Sequence, residues 1–140
     1  MTLPQKAIVI VDDEKVYIDI MALMLTDQLR CPVETFTRPL DALAALPTLN
    51  VGVVVTDCNM PQLSGFEFIR RASILLPGVP FILMTGNAQQ FDESELTSQP
   101  ALRGVLPKPF GWKKLADEII LHAPEFGQGI PRTEADPTSS

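Results

Sequence analysis

The stretch Val53-Val54-Val55-Thr56-Asp57-Cys58-Asn59-Met60-Pro61 decides how the rest of the chain is read. An unbroken β-branched run without polar alternation is a strand covered on both faces, the kind found in the parallel sheets of α/β proteins. Ligands of such sheets bind at the carboxyl ends of the strands. This run stops on a carboxylate, Asp57, and turns at Pro61. One aspartate at a strand end ordinarily starts a turn and nothing more, so the ends of the other strands decide what Asp57 does.

Working back from it, Ala7 to Val11 is a short apolar strand that ends in Asp12-Asp13-Glu14, and Val16, Ile20, Leu23 and Met24 follow at helical spacing. Pro32 to Thr37 is a more polar strand suited to a sheet edge. Pro39 then stands where a first helical turn tolerates proline, and Leu40, Leu43 and Leu46 give a short helix. Pro47 to Asn50 breaks that helix before the central strand, Val51 to Thr56.

Working forward, Pro61 to Gly65 is a loop into a helix from Phe66 that ends before Pro77-Gly78. Val79 to Met84 is a fourth strand, with Pro80 near its start, and it stops at Thr85-Gly86. Between Asn87 and Pro100 the residues are largely polar, and Asp92 and Glu95 are spaced as a capping box, which predicts a short, poorly anchored helix. Gly104 to Leu106 is a fifth strand, followed by Pro107-Lys108-Pro109; Trp112, Leu115, Ala116 and Ile119 line one face of a last helix. Strands alternating with helices over short connections predict an α/β, doubly wound five-stranded parallel sheet with right-handed crossovers and helices on both faces. Residues 1–122 read as one domain. Residues 123–140 read as a disordered tail, too poor in large apolar side chains to offset the entropy of ordering.

Composition narrows the function. The 140 residues, 46% hydrophobic, suffice for one core and one site. A net charge of -6 and a pI near 4.6 argue against non-specific binding to nucleic acid or anionic lipid. Cys31 and Cys58 fit no metal spacing or disulfide framework, so they read as reduced thiols. No apolar run approaches a membrane span, and the expectation is a soluble, cytoplasmic protein without membrane insertion.

Four of the apolar strands end on polar side chains: Asp12-Asp13, Asp57, Thr85 and Lys108. Parallel strands put all of these ends on one edge, which makes the set far more specific than any member. One of Asp12 and Asp13 is also suited to capping the first helix. Three carboxylates converging there repel by about 4 kcal/mol per pair at ~4 Å and an effective dielectric near 20. A cation relieves this, and oxygen ligands without clustered His or Cys select a hard ion, Mg2+. Between that cation and Lys108, Asp57 is placed to attack a phosphoryl group in line and form an aspartyl phosphate, with Thr85 donating to a phosphoryl oxygen. No serine or cysteine nucleophile stands with a base, and the single histidine, His122, reads as a solvated residue of the last helix.

At these residues the chain resembles the receiver domain of two-component response regulators, the CheY-like family. The resemblance covers residues 6 to about 121 and rests on IVIVDDE, VVVTDCNMPQLSG, ILMTG and LPKPF in order and spacing. It implies a flavodoxin-like strand order of 2-1-3-4-5. It implies Asp57 as phosphoacceptor, Asp13 and Asp57 as direct Mg2+ ligands, Asp12 as a ligand through water and the Asn59 carbonyl as a further ligand. It also implies that Lys108 pairs with the phosphoryl group and that the Lys108-Pro109 peptide is cis. The chain departs from the family at Val105, where a switching Tyr or Phe is usual, and at Pro100 to Gly104, which replaces the usual turn before the fifth strand.

The expected function is a single-domain receiver that takes phosphate from a sensor histidine kinase or histidine phosphotransfer protein and signals by binding a downstream protein, with no DNA-binding domain following. A phosphatase or phosphotransferase with an aspartyl nucleophile commonly carries a second aspartate where this chain has Asn59. A flavodoxin-like cofactor protein needs a Ser/Thr/Gly-rich loop where this chain has two aspartates. Because Val105 is stiff and small, the conformational response is expected between Gly86 and Pro100.

Overall fold

The structure, a computed structural model, describes residues 5–86 and 93–127. Five parallel strands lie in the order β2-β1-β3-β4-β5, where β1 is Ala7–Val11, β2 Val33–Phe36, β3 Val51–Asp57, β4 Phe81–Thr85 and β5 Leu102–Pro107. This is the predicted sheet. Every residue of β1, β3 and β4 is buried, whereas the edge strands β2 and β5 are only partly so, as apolar central strands and a polar edge strand require.

The helices are α1 (Lys15–Leu29), α2 (Pro39–Ala45), α3 (Gly65–Leu75), α4 (Glu93–Thr97) and α5 (Trp112–His122), with a 3-10 turn at Leu46–Thr48 after α2. Side chains alternate along the strands into two cores. Ile8, Ile10, Val53, Val55, Ile82 and Met84 pack with α1 and α5, through Ile18, Leu25, Leu115 and Ile119. Val9, Val11, Val54, Phe81 and Leu83 pack with α2 and α3, through Ala42, Phe68, Ile69 and Ala72.

Three expectations change. In α1 the buried stripe is Ile18, Met21, Leu25 and Leu29, while Val16, Ile20 and Leu23 are 73%, 52% and 69% exposed. The helix is apolar nearly all the way round, so periodicity alone could not choose its inner face. His122 is not freely solvated: its Nε2 lies 3.3 Å from Glu118 Oε2, over Gly104. The chain is also ordered past His122, because Pro124–Gly127 form a 3-10 turn that buries Phe126 against the sheet. The rest of the expected tail, 128–140, lies outside the described residues, as do residues 87–92, including Asp92 of the expected capping box.

Two glycines make room at irregularities. The β1/β3 register slips beside Gly52, where an added Cβ would lie 2.6 Å from the Phe126 ring, and the β4/β5 register slips beside Gly104. A glycine at a break in a ladder is where a bulge and a close approach coincide.

Candidate phosphoacceptor site

The sheet register builds the site. Past the paired residues, the amide of Asp12 donates to the Phe36 carbonyl (3.0 Å), that of Cys58 to Met84 (2.9 Å) and that of Lys108 to Thr85 (2.7 Å). These bonds extend the ladder to the strand ends, so Asp12, Asp57, Thr85 and Lys108 all reach one edge. Gly65 opens α3 with its amide on the Cys58 carbonyl (2.8 Å), and a Cβ there would collide with the Asp57 carbonyl. Ser64 Oγ caps that helix by accepting from the Glu67 amide. The backbone carrying Asp57 is thus clamped from beneath by a helix start.

Ligand oxygens of Asp12, Asp13 and Asp57 lie within 4.8 Å of one another; Asp12 and Asp57 are buried and Asp13 is exposed. Asp57 Oδ1 accepts from the Cys58 amide at 2.9 Å. Burial foremost, and the neighbouring charge of Asp12, push the Asp57 carboxyl above its ordinary value, against Lys108 and the Cys58 amide, which pull it down. Lys108 Nζ donates to Asp12 Oδ2 at 2.7 Å and to Glu14 Oε1 at 3.2 Å, and stands 3.6 Å from Asp57 Oδ1. Burial works to lower the Lys108 ammonium, but its bonds to Asp12 and Glu14 and the charge of Asp57 outweigh that and leave it above its ordinary value. Thr85 Oγ1 is buried and finds no hydrogen-bond partner among the described residues. A buried hydroxyl without an acceptor is costly unless a ligand supplies one.

Every side chain expected at the site is therefore at this edge. Asn59 lies exposed in the loop two residues past Asp57. The Lys108-Pro109 peptide is cis. Asp12 Oδ1 accepts from the Glu14 amide at 2.9 Å, so it closes a turn rather than capping α1, whose N-cap is Glu14. Cys58 and Cys31 are buried free thiols, and burial pushes Cys31 up to about 11. Two residues without a role in the sequence reading join the site: Glu14, and Tyr17, whose ring lies under Lys108 Nζ at 5.0 Å. The signal for Glu14 was a third carboxylate in sequence with the pair. For Tyr17 it was a lone aromatic in the first turn of α1, on the side facing the strand ends.

All donors in this cluster are oxygens, and burial with the charge of Asp12 disfavours an ionised Asp57 more than Lys108 and the Cys58 amide favour it. That donor set fits a hard divalent cation. A parallel α/β sheet with a carboxylate cluster, a lysine and a hydroxyl at one edge is an arrangement that can hold a cation beside an anionic group. Residues 8–120 match the response regulator receiver domain family, and the chain belongs to it. The chain is 32% identical over 133 residues to the transcriptional regulatory protein FixJ of Rhizobium meliloti, covering 91% of this chain and 59% of FixJ. It is 33% identical over 84 residues to the chemotaxis protein CheY of Pseudomonas aeruginosa, covering 56% of this chain and 67% of CheY. Among solved structures it is similar to a CheY-like receiver domain protein from Methanospirillum hungatei, with TM-score 0.75, 25% identity, and 89% and 98% of the two chains covered. The receiver domain of the Pseudomonas aeruginosa sensor histidine kinase PA1611, whose structure has a coordinated magnesium ion, shares the fold at TM-score 0.72 and 22% identity, over 87% of this chain and 99% of that one. Among the described residues no helix is long and apolar enough to cross a membrane.

Proposed function

We infer that this chain is a cytoplasmic phospho-signalling receiver that accepts a phosphoryl group on Asp57 from a sensor histidine kinase or histidine phosphotransfer protein. The observation that carries the reading is a buried carboxylate flanked by two others and a lysine, with a threonine hydroxyl at the same edge that has no partner among the described residues. Asp57 is the acceptor. Asp13, Asp57 and the Asn59 carbonyl would hold Mg2+ directly, and Asp12 through water. When bound, that cation supplies the positive charge that lets an acidic pocket accept a phosphoryl group.

A carboxylate oxygen of Asp57 attacks phosphorus; the P–O bond forms as the P–N bond to the donor imidazole breaks, and the imidazole leaves with the electron pair. Lys108 offsets charge on the transferred group and Thr85 donates its hydroxyl to a phosphoryl oxygen. Loss of the group to water returns Asp57, so the domain catalyses only its own charging and discharging. A protein donor is favoured by the apolar stripe of Val16, Ile20 and Leu23, exposed on the helix that starts at the site, since such a stripe suits packing against a partner helix.

Intact-mass spectrometry after incubation with acetyl phosphate tests the reading. One phosphoryl group is expected with Mg2+ present and none with EDTA or in Asp57→Asn; equal labelling of that variant would place the acceptor elsewhere. Leu23→Glu is expected to abolish labelling by a protein donor while acetyl phosphate still labels it, and a variant charged normally by both would remove α1 from the docking surface.

A further inference from the structure

The surroundings of Lys108 carry more than the acceptor chemistry uses. An ammonium has three N–H donors, and here they face Asp12, Glu14 and Asp57. The three partners differ in what holds them. Asp12 is fully buried and Asp57 nearly so, whereas the Glu14 side chain is 66% exposed. Water can replace the lysine on Glu14 at little cost, so Glu14 is the partner that releases first. On its other side Lys108 lies over the Tyr17 ring, which meets the Phe110 ring edge-on at 77° with centroids 6.0 Å apart. Tyr17 belongs to the first turn of α1, and Phe110 to the connection between β5 and α5. The Tyr17 hydroxyl is buried with no partner among the described residues, so its placement is set by the ring contacts and not by a hydrogen bond.

We propose that Glu14 and Tyr17 hold Lys108 in a resting position, and that charging Asp57 draws the ammonium off both, moving the Tyr17–Phe110 contact. The inference rests on the reading of Asp57 as phosphoacceptor. Phosphorylation turns a carboxylate of one negative charge into an acyl phosphate of close to two, with three strong acceptor oxygens set further out, and a compact ammonium on a flexible stem follows such a charge readily. The loss of its cation changes the electrostatics of the Tyr17 ring face. The signal then leaves the site through the start of α1 and the β5–α5 connection. That route needs no aromatic at position 105, where Val105 stands. Glu14 and Tyr17 are positioning residues, since each acts through Lys108.

The chain has one tyrosine, so protein labelled with ring-13C tyrosine gives one set of ring signals. Loading with Mg2+ and beryllium fluoride is followed independently by 19F spectra of the bound fluoride. The ring signals are expected to move on loading. In unloaded Glu14→Gln they should move part of the way, and that variant should label with acetyl phosphate about two- to fivefold faster, the range an exposed ion pair commands. Lys108→Met should leave ring signals that do not respond to fluoride loading. Bound fluoride with an unmoved Tyr17 ring overturns this inference and leaves the acceptor intact. Wild-type protein that neither binds the fluoride nor gains a phosphoryl group overturns the acceptor reading, and this inference with it. Glu14→Gln with wild-type ring signals and labelling rate removes Glu14 from the device, as would a variant that changes only the melting temperature.

Discussion

Asp57 is a residue whose burial works against its own charge, and that has a measurable sign. Its folded-state carboxyl is raised above the ordinary value of 3.8 by burial and by Asp12. A raised group contributes stability that is present below its unfolded pKa and lost as pH rises through the folded one. Ionising Asp57 therefore costs the fold. Asp57→Asn is expected to melt higher than wild type at pH 7 in EDTA, with the margin shrinking as pH falls toward 4. Saturating Mg2+ should narrow the margin as well, because the cation stabilises wild type in proportion to its occupancy. Thermal melts across pH with and without Mg2+ check both; a variant less stable than wild type at pH 7 in EDTA would mean that the Cys58 amide and Lys108 outweigh burial. The same reasoning gives Asp13 a smaller part in the repulsion than the sequence suggests, since it is exposed.

At the scale of elements, what positions the acceptor is the packing of α3 on the end of β3. Gly65→Ala puts a Cβ against the Asp57 carbonyl and 2.9 Å from Cys58 Cα. Backbone cannot swing aside, so a cost of about 1–3 kcal/mol is expected, with slower acetyl phosphate labelling. Gly104→Ala meets the ends of Glu118 and His122 at 2.6 and 2.9 Å, and these can rotate away. Urea unfolding should show the first variant losing clearly more than the second; equal losses would mean that the helix start yields. The strands and their polar ends were legible in sequence because two physical signals agreed there: unbroken β-branched runs, and carboxylate, hydroxyl or lysine at each stop. The face of α1 was not legible, because Val16, Ile18, Ile20, Met21, Leu23 and Leu25 surround the helix axis and only the tertiary fit selects among them. Glu14 and Tyr17 escaped notice for a related reason. Their role depends on the reach of Lys108 from just past the end of β5, 94 residues from Glu14 in sequence.

The whole molecule closes beneath the sheet, at the end opposite the site, with a residue the composition of its segment concealed. Pro124–Gly127 were expected to stay disordered as part of a tail poor in large apolar side chains, yet Phe126 is 4% exposed and its ring fills the space left by Gly52 on β3. One aromatic placed against a glycine in the central strand offsets the ordering of a short turn, because burying a ring removes a large apolar area from water. The turn also brings Glu125 within 3.4 Å of Lys6, but both side chains are about half exposed, so that pair contributes little. Phe126→Ala is therefore expected to cost about 3 kcal/mol, whereas Lys6→Ala should change stability by less than about 0.5 kcal/mol. Urea unfolding of the full chain separates the two. Because Phe126 packs at the far end of β3 from Asp57, the Phe126→Ala protein that remains folded should still label with acetyl phosphate at the wild-type rate. A loss near zero would mean that the ring only rests on the sheet, and a labelling defect in folded protein would mean that β3 transmits the disturbance along its length to Asp57.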